Sequence, residues 1–419
     1  MKVLKITFYL MILGSLANGI RVEAHIPSQT YLESKILVAK SNNSLGSNNF
    51  KALRYLNSGN QFYRQGKFHD AIKYYNRAIQ TNSEYADAYY QRGVTLHRLQ
   101  DYYGALEDFN RALKIDPIYP EIYISRGNTY DDLGNTEKAI ADYNEALKLT
   151  PSNAFAYLNR GITYSRKQDY QQAIIDLTQA LKINPKLSEA HYYRGNIYYE
   201  SQQYKQAIAD FTQTLQINPQ YIQAYTNRGL AQYKLGNNQQ AIEDYNKVLE
   251  IKPKHIYTYF NRALAHISQK DYRSAISDFN QVLKQKPQDI QALRKRAYAR
   301  AELKDYQGAI DDYTKALKIK PQDAYIYYNR GNARAELEDY EGAIDDYNSC
   351  IKINPQNPKF YGNRGLARYN SEDHQGAIAD LKKAMEIFQK QGKELDVQKA
   401  LEMIEYIRDE SETEVISLH

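Results

Sequence analysis

The side chains that most often perform catalysis or bind metals are few in this sequence, and they do not cluster. No two of the eight histidines have the spacing of a metal-binding pair. The single cysteine, Cys350, excludes an intrachain disulfide and a Cys-based zinc site, and we interpret it as a small core residue. The sequence contains neither a Gly-rich phosphate loop nor a His-Glu-x-x-His helix. We therefore predict a protein that is not an enzyme and that uses no cofactor or metal.

A second set of charged residues has a regular spacing. Arg recurs every 34 residues, and an Asp follows each of these Arg residues 16 positions later. The first unit of this period lacks both residues. Their joint presence and absence predicts structural salt bridges between helices, within or between units, as in Arg228 with Asp244 and Arg262 with Asp278. The alternative is a basic ladder that binds a polyanion, and the Asp residues would neutralise such a ladder.

The elements that must position these residues follow the same period. Pro recurs at a spacing of 34 residues eight times, from Pro117 to Pro355, and Ala recurs ten times, from Ala71 to Ala377. The apolar residues after each Ala have helical spacing, and the Pro ends the unit because it cannot continue a helix. A fixed period of this length predicts a solenoid in which each unit is a pair of helices.

The two ends of the sequence differ from the repeats. Two Lys residues precede an apolar run of 12 residues at 6–17, and small residues then follow at the spacing of a cleavage site ending at Ala24. This pattern predicts a secretory signal peptide and an exported protein, periplasmic or extracellular. An uncleaved N-terminus that tethers the protein to a membrane is the alternative. The segment 25–51 is polar and typical of a disordered linker.

The repeats resemble the tetratricopeptide repeat (TPR) family, whose 34-residue unit is a helix–turn–helix with small residues where its helices meet. The resemblance implies an all-α fold: an α-solenoid, or superhelix, with a C-terminal capping helix. One departure is that the family's usual Trp at position 4 is Tyr in most units. With Gly59 as position 8, the sequence divides into a signal peptide at 1–24, a Ser/Asn-rich linker at 25–51, ten repeats at 52–85, 86–119, 120–153, 154–187, 188–221, 222–255, 256–289, 290–323, 324–357 and 358–391, a capping helix at 392–408 and an acidic tail at 409–419.

The resemblance also implies that the first helices line a concave groove with positions 2, 5, 6, 9, 12 and 13 of each repeat. An Asn amide both donates and accepts, so a row of Asn residues can hold an extended peptide by its backbone, and Tyr adds apolar area with a polar tip. The alternative is that these Asn residues only keep a surface hydrated. The eighth repeat differs by presenting Arg294 and Lys295. The residues predicted to bind a partner are Asn159, Asn196, Asn227, Asn261, Asn329, Asn332, Asn363, Tyr192, Tyr199, Tyr233, Tyr257, Phe260, Tyr325 and Tyr328.

These patterns favour a non-catalytic protein–protein interaction scaffold that binds a protein or an extended peptide in the groove and could serve as an exported assembly factor. The alternatives are a polyanion or nucleic-acid binder and a self-associating structural solenoid. The formal net charge of +6, from 55 basic and 49 acidic residues, is too small to imply nucleic acid, so none is expected as a partner. We expect a monomer without a stable membrane span, since no apolar run reaches 18 residues.

Overall fold

The fold is given by a computed structural model that describes residues 47–417, and all regular secondary structure in this range is α-helical. The first helices of the pairs are α1 (Ser47–Arg64), α3 (Ala86–Arg98), α5 (Pro120–Asp132), α7 (Ala154–Arg166), α9 (Ser188–Glu200), α11 (Ile222–Lys234), α13 (Ile256–Ser268), α15 (Ile290–Glu302), α17 (Ala324–Ala335) and α19 (Pro358–Asn370). The second helices are α2 (Phe68–Thr81), α4 (Tyr102–Ile115), α6 (Thr136–Leu149), α8 (Tyr170–Ile183), α10 (Tyr204–Ile217), α12 (Asn238–Ile251), α14 (Tyr272–Gln285), α16 (Tyr306–Ile319), α18 (Tyr340–Ile353) and α20 (His374–Lys390). The last helix is α21 (Glu394–Ser417).

The helices belong to two compact units, which meet in the chain between Arg228 and Gly229, inside α11. Within each unit, a first helix packs on the second helix of its own pair, and that second helix packs on the first helix of the next pair. This repeated packing of helix pairs confirms the all-α solenoid that the 34-residue period predicted.

The short turn between the two helices of a pair is set by two adjacent residues. The first has a positive φ, which Gly134 and Gly236 adopt without strain and which Gln100 adopts with φ 66°. The second is often Asp or Asn, and the carboxylate of Asp101 accepts a hydrogen bond of 3.0 Å from the backbone N–H of Gly104. Each such side chain therefore satisfies a free donor at the start of a second helix.

The helices of a pair approach each other closely because small residues lie where they cross. All ten Ala residues of the repeating series are fully buried. A Cβ added to Gly331 would lie 2.9 Å from Cε1 of Tyr347, and one added to Gly127 would lie 3.2 Å from the carbonyl oxygen of Ala139. A larger side chain at these Gly positions would therefore force the two helices apart.

The structure extends the helical region beyond the boundaries expected from sequence. Helix α1 begins at Ser47, so residues 47–51 of the expected linker are helical. Helix α21 continues to Ser417 and includes most of the segment expected to be an acidic tail at 409–419. Its Ile404 and Ile407 are buried against α20, which gives these otherwise polar segments apolar contacts that a short stretch of sequence does not reveal.

The predicted signal peptide at 1–24 and linker residues 25–46 lie outside the described residues. Between residues 47 and 417, no helix has both the length and the apolar character that a membrane crossing requires.

Candidate partner-binding face

The recurring Arg residues bind groups from two second helices. Nε and Nη2 of Arg262 donate to the two carboxylate oxygens of Asp278 at 2.8 and 2.6 Å. Nη1 donates at 2.5 Å to Oδ1 of Asn246, which lies on the preceding second helix α12, and the ring of Tyr259 lies 5.6 Å from the guanidinium carbon. The Asp278 side chain is 5% exposed. Each cluster therefore ties three helices together and leaves its carboxylate inaccessible to a ligand.

The same bidentate pairing recurs through both units. Arg228 and Asp244 belong to different units: within its own unit Arg228 donates through Nη1 to Thr212 at 3.1 Å, and in the other unit Asp244 is buried. The sequence analysis missed the third partner, the Asn or Thr that lies 16 residues before each Arg. Its signal is a 34-residue recurrence of the kind that revealed the Arg and Asp. The further bidentate pairs are Arg92–Asp108, Arg126–Asp142, Arg160–Asp176, Arg194–Asp210, Arg296–Asp312, Arg330–Asp346 and Arg364–Asp380.

One cluster contains a histidine in place of the usual Tyr. Nδ1 of His191 lies 3.1 Å from Oδ1 of Asp210, and its Nε2 lies 3.2 Å from the carbonyl oxygen of Pro185. Burial raises the pKa of Asp210, but the hydrogen bonds from Arg194 and His191 outweigh burial, so the net pKa is lowered. In the cluster of Asp108, which has only Arg92 as an ionic partner, burial prevails and the pKa of the carboxyl is raised.

A second polar network runs along the first helices and uses several of the predicted partner-binding residues. In the second unit, Nδ2 of Asn363 donates to Oδ1 of Asn332 at 2.8 Å and to Oη of Tyr328 at 3.2 Å, and the hydroxyl of Tyr347 also donates to Oδ1 of Asn332. In the first unit, Asn227 bonds in the same way to Asn196 and Tyr192. These amides therefore bind one another between adjacent repeats, which is a structural role that the sequence analysis did not consider.

In the first unit, the predicted partner-binding residues lie inside the stack. Tyr192 is 1% exposed and Tyr199 is 9% exposed, because adjacent helices cover their rings. Asn159, Asn196 and Asn227 are also buried, and neither amide atom of Asn159 has a hydrogen-bond partner among the described residues. These five side chains are inaccessible to a peptide in this structure.

In the second unit, the corresponding residues are more accessible. Tyr257 is 44% exposed and Tyr325 is 52% exposed. Asn261 is buried, and the remaining predicted residues are half-buried: Tyr233, Phe260, Tyr328, Asn329, Asn332 and Asn363. Arg294 lies beside them, with its guanidinium carbon 4.7 Å from the ring centroid of Tyr325. We define the second-unit face by six residues: Tyr257, Phe260, Arg294, Lys295, Tyr325 and Asn329.

The described residues offer little for catalysis. Between residues 47 and 417, no group of three or more His, Cys, Asp or Glu side chains is placed to hold a metal ion. Cys350 is buried with Sγ 3.2 Å from the carbonyl oxygen of Ala324, and burial raises the pKa of its thiol to about 12. A thiol in this environment is almost entirely protonated at neutral pH and is a poor nucleophile.

Comparison with known families identifies the fold. Models of the tetratricopeptide repeat match successive segments over most of the chain, so the chain belongs to this family. Models described as tetratricopeptide repeat match 86–119, 109–141, 154–187, 222–255, 260–324, 324–357 and 358–391, and one described as TPR repeat matches 59–100, 127–168 and 195–236. The fold is consistent with a protein–protein interaction scaffold, a class that is generally not catalytic.

Several solved structures are similar to parts of this chain. A tetratricopeptide repeat protein from Parabacteroides merdae is 23% identical with a TM-score of 0.42, over 59% of this chain and 98% of its own. YrrB, described as a TPR protein with an unusual peptide-binding site, is 22% identical with a TM-score of 0.37, over 44% of this chain and 95% of its own. MamA is 30% identical with a TM-score of 0.36, over 39% of this chain and 95% of its own. No curated protein matches the sequence.

Proposed function

We propose that the protein is a non-catalytic scaffold that binds an extended segment of a partner protein on the second-unit face. The observation that carries this proposal is the exposure of Tyr257 and Tyr325 on a surface where the first unit buries its aromatic residues. Large rings that remain exposed give up apolar contact area that a partner can cover, and their hydroxyls remain available for hydrogen bonds.

Nearby polar side chains supply the hydrogen-bonding part of such a surface. Asn329 is half-buried, and its Nδ2 donates at 2.6 Å to the carbonyl oxygen of Tyr325 in its own helix. Its Oδ1 remains available to accept a hydrogen bond from a peptide N–H. Rings and amides alternating along first helices match an extended chain, which presents side chains and backbone groups in alternation.

The proposal is tested by site-specific photo-crosslinking with the full-length protein. A photoreactive phenylalanine is placed at Tyr257 or Tyr325, and at Tyr103 as the matched control. Tyr103 is 75% exposed but lies on the second helix α4. We expect positions 257 and 325 to crosslink to one short segment of the same partner in a native extract, and position 103 not to do so.

A synthetic peptide of the captured segment then provides the quantitative test. It should bind the full-length protein and lose about tenfold or more in affinity with Tyr325→Ala, since truncation of a central aromatic contact commonly costs more than 1 kcal/mol. Crosslinks from position 103 alone, or unchanged affinity in the variant, would place binding elsewhere and reject the second-unit face.

We also infer that the protein is exported. The support is the order of Lys residues, an apolar run and a small-residue site within residues 1–24 of the sequence. N-terminal sequencing of the protein from fractionated host cells tests this inference. A mature chain that begins after Ala24 in the exported fraction is expected. An intact N-terminus on a cytoplasmic protein would contradict export, and an intact N-terminus in the membrane fraction would indicate a tether instead.

A further inference from the structure

Arg294 and Lys295 depart from the pattern of the repeats. In the other nine repeats, the two equivalent positions hold only uncharged residues. The other Arg residues of the same helix behave differently, because Arg296 and Arg300 both bind the buried carboxylate of Asp312. Within the described part of the chain, neither Arg294 nor Lys295 has a carboxylate at ion-pair distance. The second-unit face therefore contains two adjacent cations that the fold itself does not neutralise.

The surroundings of Arg294 hold it in place without satisfying its hydrogen-bonding capacity. Its guanidinium lies over the ring of Tyr325, and its Nε is covered and has no hydrogen-bond partner among the described residues. Lys295 is exposed. Two like charges on adjacent residues repel, and burial of even part of a cation costs free energy, so an anion between them would be stabilised.

We propose that Arg294 and Lys295 form a subsite for the carboxylate of an acidic peptide segment. The inference rests on the proposed function, because it assigns a ligand chemistry to the same face. The guanidinium can donate two parallel hydrogen bonds to one carboxylate, and the ammonium adds a positive charge with three donors. The exposed ring of Tyr325 then covers an apolar or aromatic side chain next to the acidic residue.

The residues around the subsite favour a peptide over a nucleic acid. A polyanion needs a continuous basic stripe, because its affinity comes from many phosphate contacts. The equivalent positions of the flanking repeats hold Phe260 with Asn261 and Tyr328 with Asn329, which carry no charge. One local pair of cations between neutral aromatic residues matches one carboxylate in a largely uncharged segment.

The test measures the binding of fluorescent peptides to the full-length protein by anisotropy, at an ionic strength of about 0.1 M. The first probe is an extended peptide with blocked ends in which Tyr and Glu alternate, and the second has Gln in place of Glu. A third has Gln throughout but a free C-terminal carboxylate, which separates a side-chain carboxylate from a terminal one. A single-stranded DNA with the same charge as the first probe tests the polyanion alternative.

The variant protein carries Arg294→Gln and Lys295→Gln. The matched control carries Lys315→Gln and Lys318→Gln, which removes the same charge from two exposed positions on α16 of the same repeat. We expect the parent protein and the control to prefer the Glu peptide over the Gln peptide by about tenfold or more, and the variant to lose this preference. Circular dichroism before and after heating shows whether both proteins are folded.

Other outcomes overturn the inference in distinguishable ways. If the parent binds the Glu and Gln peptides equally, the carboxylate subsite is rejected while peptide binding on the face stands. If the control loses the preference as the variant does, the effect comes from overall charge. If the DNA binds as tightly as the Glu peptide and the variant abolishes both, the site is one for polyanions. If no peptide binds, the subsite is rejected, and the crosslinking experiment decides the proposed function independently.

Discussion

The hydroxyl of Tyr347 donates a hydrogen bond of 2.8 Å to Oδ1 of Asn332, which lies 15 residues earlier on the other helix of the pair. The same bond joins Tyr75 to Asn60 and, in another repeat, Tyr143 to Asn128. The Tyr hydroxyls in these pairs lie in the interior, where a donor without an acceptor is costly. Tyr on the second helix thus depends on Asn on the first.

This dependence predicts that the pair can be transferred to another repeat. Phe279 is fully buried and packs in one cluster with Leu264, and these residues occupy the positions equivalent to Tyr347 and Asn332. Phe279→Tyr alone should destabilise the second unit by about 1–3 kcal/mol, because its buried hydroxyl lacks an acceptor. Adding Leu264→Asn should recover about 1 kcal/mol or more of the loss expected from the two single changes. Urea denaturation of the four proteins measures this coupling, and strictly additive effects would contradict it.

The close approach of the helices predicts opposite effects for two glycines. Gly331→Ala should destabilise the protein by about 1–3 kcal/mol, because the new Cβ would lie 2.9 Å from Cε1 of Tyr347, whose hydroxyl is held by Asn332. Gly362 on α19 has nothing within 4 Å of an added Cβ, so Gly362→Ala should stabilise by up to about 1 kcal/mol. Thermal unfolding monitored by circular dichroism compares the two. Equal shifts of both variants would refute the close crossing.

The three-helix Arg cluster predicts an asymmetric mutational effect. Arg262→Gln should destabilise the helices around it by about 2–4 kcal/mol, because it leaves Asp278 buried without its cation. Arg262→Gln combined with Asp278→Asn should cost less than the single change. Hydrogen exchange of α12, α13 and α14 is the measurement, since long repeat proteins often do not unfold in one step. The control is Arg273→Gln, an exposed residue on α14 for which little change is expected.

The histidine-containing cluster predicts a change in acid sensitivity. The lowered pKa of Asp210 means that its ionised form stabilises the fold above the unfolded-state pKa of about 3.9, and that this contribution is lost as the pH falls through the folded-state value. His191→Phe removes one hydrogen bond to Asp210 and should raise its pKa, so the loss of stability should begin at a higher pH.

Hydrogen exchange of α9 and α10 between about pH 3 and pH 6 follows this loss of stability. In proteins that also carry Asp210→Asn, His191→Phe should no longer change the shape of the pH profile. A uniform destabilisation at every pH would show that His191 acts through packing rather than through the carboxylate.

The helix pairs were predictable from sequence because each repeat can be compared with nine others in the same chain. The 16-residue Arg–Asp spacing indicated a pair, and Arg262 with Asp278 shows how it forms. The contact to Asn246 was not predicted, because an Asn on the second helix has the pattern of a hydrated surface residue until the preceding repeat is packed against it.

The accessibility of the face was less predictable than the fold. Tyr192 and Tyr325 both lie on first helices at positions expected to face a groove, yet the first is buried and the second is half exposed. The difference depends on the rotation of each helix and on the side chains of the next repeat, which sequence spacing describes only approximately. The lack of a carboxylate beside Arg294 likewise became visible only once distances to every neighbouring element were known.

The Arg clusters also have a mechanical consequence. Within each unit, every cluster joins a first helix to the second helices of its own repeat and of the preceding one. A pulling force applied along the chain would meet a series of similar ionic clips, each broken when one 34-residue repeat is drawn out. One repeat drawn out would release roughly 110 Å of extended chain, at about 3.3 Å per residue. Each unit should therefore lengthen under tension in steps of nearly constant size.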